Sequence, residues 1–204
     1  MDVFEDQEFA PSNDLLTEDH AKANDIEWLR PTDICERNNW ESPQMYVKGV
    51  DRFDINQGEI GNCWFLCKFN NYAILKRNFL SLRIFKEYFF SIAALANLAE
   101  MYKKDKRTFQ KVLTRGSSAD CLSVENFKGA FEFQFWKFGK WEKVKIDDRL
   151  PTRNNQLIYM RSTEKNEFWE ALVEKAYAKL HGSYEALVSG KTNEASVDFT
   201  GKYN

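Results

Sequence analysis

Apolar and polar side chains alternate along FEFQFWKFGKWEKVKIDDRLP, residues 131–151. Phe131, Phe133 and Phe135 are interleaved with Glu132 and Gln134, and after Gly139 the apolar positions continue at Trp141, Val144 and Ile146. A period of two over both arms predicts an antiparallel hairpin with one packed and one wet face, ended by Pro151. The period then changes. In NEFWEALVEKAYAKLHG, Phe168, Leu172, Ala176 and Leu180 recur at helical spacing, and Gly182 fits a C-terminal stop. Weaker helical signals begin at Cys63, resume over Leu95–Tyr102 and recur near Phe109–Leu113. Residues 47–62 are turn-rich, punctuated by Gly49, Gly58 and Gly61. Residues 1–45 are polar and irregular, with Pro11, Pro31 and Pro43 as breaks. They read as an extended arm with one short helix around Leu15–Asn24. The chain is therefore expected to be α+β: an arm over 1–45, then one lobe over 46–204 in which helices pack on a small antiparallel sheet. No internal repeat is visible.

Composition narrows the function. Of 204 residues, 43% are hydrophobic and 15% aromatic, enough for one or two small cores. With 29 basic and 31 acidic side chains the formal net charge is −2, which argues against a nucleic-acid partner or a polybasic membrane patch. The acidic start, MDVFEDQEFAPSNDLL, lacks the apolar core of a signal peptide, and no run of apolar residues is long enough to span a bilayer. The four cysteines, Cys35, Cys63, Cys67 and Cys121, form no CxxC pair and no disulfide framework. A reduced, cytoplasmic setting is the expectation. His20 and His181 are the whole imidazole supply.

The candidate chemistry sits in QGEIGNCWFL, residues 57–66. Gly61 and Asn62 place Cys63 at the first turn of a helix, where free N–H groups and the helix dipole lower a thiol's pKa. Gln57, six residues upstream, could aim an amide N–H at a developing oxyanion. The competing reading is a small buried hydrophobe, the commoner fate of a free cysteine.

That segment resembles the active-site signature of the calpains, papain-like cysteine endopeptidases regulated by calcium. Further segments resemble the family in the family's order: FEDQEFAPSNDLL, IEWLRPTDI, FEFQFWKFGKWEKVKIDDRLPT, NEFWEALVEKAYAKLHGSYEAL and VDFTGKY. The resemblance covers nearly the whole chain except residues 67–93. It implies a papain-like first lobe whose central helix carries Cys63. It implies that Cys63 is the nucleophile, Gln57 the oxyanion-hole amide and Trp64 the tryptophan that follows the nucleophile. It also implies a calcium ion, held by backbone carbonyls of Val47 and Gly49 and by carboxylates of Asp54 and Glu167, a set of hard oxygens that suits this cation. Protein substrates, a regulatory subunit and an inhibitor protein are the implied partners. Asn62 stands where the family usually has aspartate and Asn56 where cysteine is frequent; neither supplies the nucleophile, so tuning rather than loss is expected.

Two features depart from the family. A thiolate mechanism needs a base and an acid, and the family's histidine and asparagine come from a second lobe beyond DFTG. His181 and His20 do not stand at that position, so this polypeptide alone is expected not to hydrolyse peptides. The alternative reading is a non-catalytic calcium-binding or scaffolding protein. The second departure is residues 67–93, a Phe-, Tyr-, Asn- and Lys-rich stretch between GNCWFL and ALANLAE. Its ends can be encoded by splice-donor and splice-acceptor consensus bases. Removing two bases of codon 67, codons 68 to 92 and one base of codon 93 keeps the frame and joins the flanks through a serine codon. The expectation is a foreign insertion or retained intron, which would weaken the support behind the first turn of the Cys63 helix.

Overall fold

The computed structural model describes residues 3–47, 55–56, 99, 106–115, 122, 127–187 and 197–201. In chain order the elements are α1 (Glu18–Ala21), β1 (Ile26–Leu29), α2 (Pro31–Asn38), β2 (Ile55–Asn56), α3 (Lys106–Val112) and β3 (Leu113–Arg115). They continue with β4 (Ala130–Lys137), β5 (Lys140–Asp147), β6 (Leu150–Arg153), β7 (Gln156–Leu157), β8 (Arg161–Ser162) and α4 (Trp169–His181). All strand ladders among these elements are antiparallel, in the orders β3-β4-β5, β1-β6-β7 and β2-β8. The architecture is thus a mixed α+β one, as the two hydrophobic periods require.

β4 and β5 pair from Ala130↔Asp147 to Lys137↔Lys140. Phe131, Phe133 and Phe135 are each fully buried on the inner face, beside Val144 and Ile146. α4 covers that face with Leu172, Val173 and Ala176. Its last residue is followed by Gly182 at φ 99°, a left-handed stop whose N–H returns to the Lys179 carbonyl at 3.2 Å. The predicted stripe of Phe168, Leu172, Ala176 and Leu180 does face the core, but the helix is buried on nearly every side. Glu170, Glu174 and Lys175 are inside with it, which an amphipathic reading does not anticipate.

The first 45 residues are more ordered than their polarity suggests. β1 pairs with β6, more than a hundred residues away, and Phe9, Leu16, Leu29, Ile34 and Cys35 join the central core. Pro31, expected to break the chain, is the first residue of α2; a proline suits that position because its missing N–H would have had no helical partner there. Asp33 accepts from the Arg30 N–H at 3.2 Å, and Asn39, left-handed at φ 54°, closes the helix. The helix expected around Leu15–Asn24 is two short turns, a 3-10 turn over Asn13–Leu15 and α1. The helical stretch expected near Phe109–Leu113 is α3, and Leu113 already begins β3. Pro151 does not end the sheet region: it lies within β6, opposite Trp28. The β7 ladder reaches only Thr152 and Arg153, so the proline faces one ladder only.

Candidate functional site

Glu167 lies just before α4 and is 1% exposed. Such a carboxylate must find donors, and three converge on it. The Ser162 hydroxyl and the Trp169 indole N–H donate to Oε1 at 3.0 and 3.1 Å, and the Val47 backbone N–H donates to Oε2. The neighbouring backbone is pinned as well. Gln44 N–H donates to Asn166 O at 2.7 Å, Phe168 N–H to Gln44 O at 3.1 Å, and Trp169 N–H to Met45 O at 3.0 Å. A parallel bridge joins Gln44 to Glu167. Segment 44–47 is therefore laid along the start of α4, and Val47 is brought against Glu167. A polar cleft of about 450 Å³ opens beside them, lined among others by Trp40, Arg161, Ser162, Lys165 and Glu167.

Two of the four calcium ligands implied by resemblance are thus described, and they are adjacent. The other two, Gly49 and Asp54, lie outside the described residues, as do Cys63, Gln57, Trp64 and the segment 67–93. Ala99, within the helical signal read over Leu95–Tyr102, is helical and fully buried. Among the described residues no group of three or more His, Cys, Asp and Glu side chains gathers to hold a metal. A set of two carbonyls and two carboxylates does not require one, and a buried, fixed Glu167 oxygen is the kind of hard donor calcium takes.

Below this region α4 carries a buried ionic anchor that pattern reading missed. Lys175 and Asp147 are both fully enclosed. The ammonium donates to Asp147 Oδ1 at 2.5 Å, to Arg149 O at 2.5 Å and to Asp147 O at 3.2 Å. Asp147 Oδ2 takes Arg149 Nε at 3.0 Å, Arg149 Nη2 at 2.7 Å and the Asp6 N–H at 3.0 Å. Burial pushes the Asp147 carboxyl up, but the Lys175 charge and these hydrogen bonds outweigh it and hold the group below its ordinary value. One helical turn on, Lys179 grips Asp6 with both contacts at 2.9 Å and donates to Lys145 O at 2.8 Å. The second half of α4 is therefore tied to the sheet and to the segment around Asp6.

The histidines occupy structural places. His20 is buried, with Nδ1 2.7 Å from Thr17 Oγ1 and its ring edge-on to Tyr159. His181 ends α4, edge-on to Tyr177, with Nε2 3.9 Å from Asp198. Cys35 is a buried free thiol pushed up to about 11 by desolvation, the opposite of an activated nucleophile.

The sequence has counterparts among known proteins. The family described as calpain family cysteine protease matches residues 4–88 and 87–204. Calpain-A of Drosophila melanogaster is 46% identical over 199 residues, 98% of this chain and 19% of that protein. Calpain clp-1 of Caenorhabditis elegans is 42% identical over 199 residues, and Calpain-5 of Mus musculus 39% over 201, covering 20% and 26% of those proteins. The chain belongs to the calpain family of cysteine proteases. It spans between about a fifth and about a quarter of the length of these relatives. Among the described residues no helix is long and apolar enough to cross a membrane.

Proposed function

We propose that this chain is the thiol-bearing lobe of a calcium-dependent endopeptidase that makes limited cuts in cytoplasmic proteins. Cys63 attacks the scissile carbonyl, and the Gln57 amide donates to the oxyanion. Trp64 is assigned to the same substrate and oxyanion region, as the tryptophan that follows the nucleophile. Val47 and Gly49 through their carbonyls and Asp54 and Glu167 through their carboxylates would hold calcium, which would supply charge to balance the two acids. The observation that carries the reading is the buried, triply held Glu167 carboxylate lying against Val47. A carboxylate held in place beside Val47 offers the hard oxygen donor that a calcium ion takes.

The two histidines offer no base for Cys63 in this reading, since one is enclosed on Thr17 and Tyr159 and the other sits beside Asp198 and Tyr177. The 204-residue polypeptide alone is expected to be silent on a casein substrate. Joined to a second lobe of the family, it is expected to cleave in calcium, to stop on chelation, and to be inactive as Cys63→Ser. Cleavage by the single lobe that depends on Cys63, or cleavage by the joined form that survives Cys63→Ser, would refute the assignment. Calorimetric titration with calcium tests the ligands separately: heat is expected for the native chain, and none for Glu167→Ala or Asp54→Ala.

Residues 67–93 we read as an insertion or retained intron. The family model matches in two segments, residues 4–88 and 87–204, which meet inside that stretch. Transcript reads that splice codon 67 to codon 93 are expected; reads that all retain the segment would count against the reading.

A further inference from the structure

Residues 197–200 form a single helical turn. One turn has almost no stability of its own, so its contacts keep it in place. Phe199, 1% exposed, stands between Phe135 of β4 and Tyr177 of α4, with ring centroids 5.5 and 5.2 Å away. Asp198, beside it, is buried as well. One of its carboxylate oxygens, Oδ2, accepts from the Tyr177 hydroxyl at 2.8 Å and from the Lys137 ammonium at 2.7 Å. His181 Nε2 stands 3.9 Å from the same atom, beyond hydrogen-bond reach. A side chain from the end of β4 and one from α4 thus close on a single oxygen.

The way out of the turn is fixed too. Gly201 N–H returns to Val197 O at 2.7 Å, and Gly201 takes φ 69°. A Cβ there would stand 3.2 Å from Trp141 and 3.7 Å from Trp136, whose rings meet edge-on 5.6 Å apart. Left-handed backbone pressed onto that pair favours glycine.

Stability alone does not account for this construction. The Phe199 rings already attach the turn to the core. A largely enclosed carboxylate–ammonium pair adds a desolvation penalty that its attraction only about balances, and apolar side chains of similar volume would hold the turn as well. What the pair adds is a single orientation, because any displacement leaves a buried charge without its partner. The turn is held in direction as well as in place.

We infer that Asp198 is a positioning residue: clasped by Lys137 and Tyr177, it sets the direction in which the chain leaves this lobe past Gly201, and so the register of a second lobe against Cys63. The inference rests on the two-lobe endopeptidase reading above. A misplacement of about 1 Å between reacting groups costs on the order of a hundredfold in rate, so a loosened turn lowers turnover more than substrate binding.

The test combines Asp198→Asn with Lys137→Gln, which removes both charges, keeps an acceptor for Tyr177 and leaves no ion unpaired. In the 204-residue chain the melting temperature is expected to stay within about 2 °C of the native value. Amide exchange at Gly201 is expected to rise by about tenfold or more, with α4 unchanged. In the chain joined to a second lobe, with a spin label on each lobe and Cys63→Ser to prevent self-cleavage, the interlobe distance distribution in calcium is expected to broaden by about twofold or more. With Cys63 intact, kcat on casein is expected to fall by about tenfold or more and KM to stay within about twofold. Lys137→Arg keeps the ion pair and is expected to match the native protein in every measurement. If the native joined form shows no Cys63-dependent cleavage, the endopeptidase reading fails by itself, and the distance widths still decide the role of Asp198. Unchanged exchange at Gly201 or an unchanged distance width overturns the inference. So does a lowered melting temperature with exchange raised throughout the lobe, the mark of a merely structural contact.

Discussion

Glu174 gives the sharpest quantitative test of the fold. It sits mid-way along α4, and its carboxyl is fully enclosed, with Oε2 accepting the Met160 N–H at 2.9 Å. A cavity of about 10 Å³, room for roughly one water, lies beside it between Tyr159, Tyr184, Met160 and Ala171. Both phenols are themselves pushed up, first by burial and also by the Glu174 charge. Burial raises Glu174 from 4.5 to about 8, against the lowering effect of the Met160 hydrogen bond. The unfolded chain gives up this proton near pH 4.5, and the folded chain keeps it until about pH 8. Between those values the folded state holds one more proton, so stability falls as pH rises. At 1.36 kcal/mol per pKa unit the loss amounts to roughly 5 kcal/mol, an upper bound since local opening would relieve it. Glu174→Gln keeps an acceptor for Met160 and cannot ionise. Urea denaturation followed by circular dichroism, at intervals from pH 5 to 9, should give curves within about 1 kcal/mol of each other at pH 5. They should then diverge until the glutamine variant is the more stable by at least 2 kcal/mol at pH 9, a conservative share of that bound. Two curves that run parallel across the range would refute the enclosed, protonated carboxyl.

Other consequences are direct. Lys175→Ala should cost about 3–5 kcal/mol in denaturant titration, because it leaves Asp147 charged and buried without its main partner; a loss under 1 kcal/mol would show the anchor to be incidental. Because Asp147 titrates below its usual range, its contribution is present above the unfolded value and should disappear as pH falls below about 4, seen as a steep acid limb that Asp147→Asn flattens. Gly182→Ala should cost about 1 kcal/mol, since φ is 99° and no atom stands within 4 Å of the new methyl; hydrogen exchange should then rise in the last turn of α4 and nowhere else.

The parts of the fold readable in the sequence are those whose partners are near in the chain. β4 and β5 pair across a two-residue turn, so their alternation needs no distant information. α4 shows its stripe for the same local reason. What the pattern concealed depends on long-range contacts. IEWL of β1 is too short to signal a strand until β6 arrives beside it, and Pro31 looks like a break unless the helix after it is already known. Glu170, Glu174 and Lys175 look like a solvated face, because a charged residue is placed inside only by partners such as Asp147 and Met160 that the spacing does not reveal. The candidate site divides the same way. Cys63 and Gln57 are suggested by a local motif, whereas Glu167 by itself is an ordinary acid. Only Val47, Ser162 and Trp169, drawn around it by the fold, set it apart.

The proposal that Cys63 is an activated thiol is tested most directly by the pH dependence of alkylation, following the Cys63 and Cys35 peptides of the native chain by mass spectrometry with iodoacetamide. Cys63 is expected to titrate at least about one unit below the ordinary 8.5 of a free thiol, while Cys35, enclosed and pushed up to about 11, stays unmodified near neutrality. A Cys63 that reacts no faster than a model thiol, or one as inert as Cys35, would contradict the account.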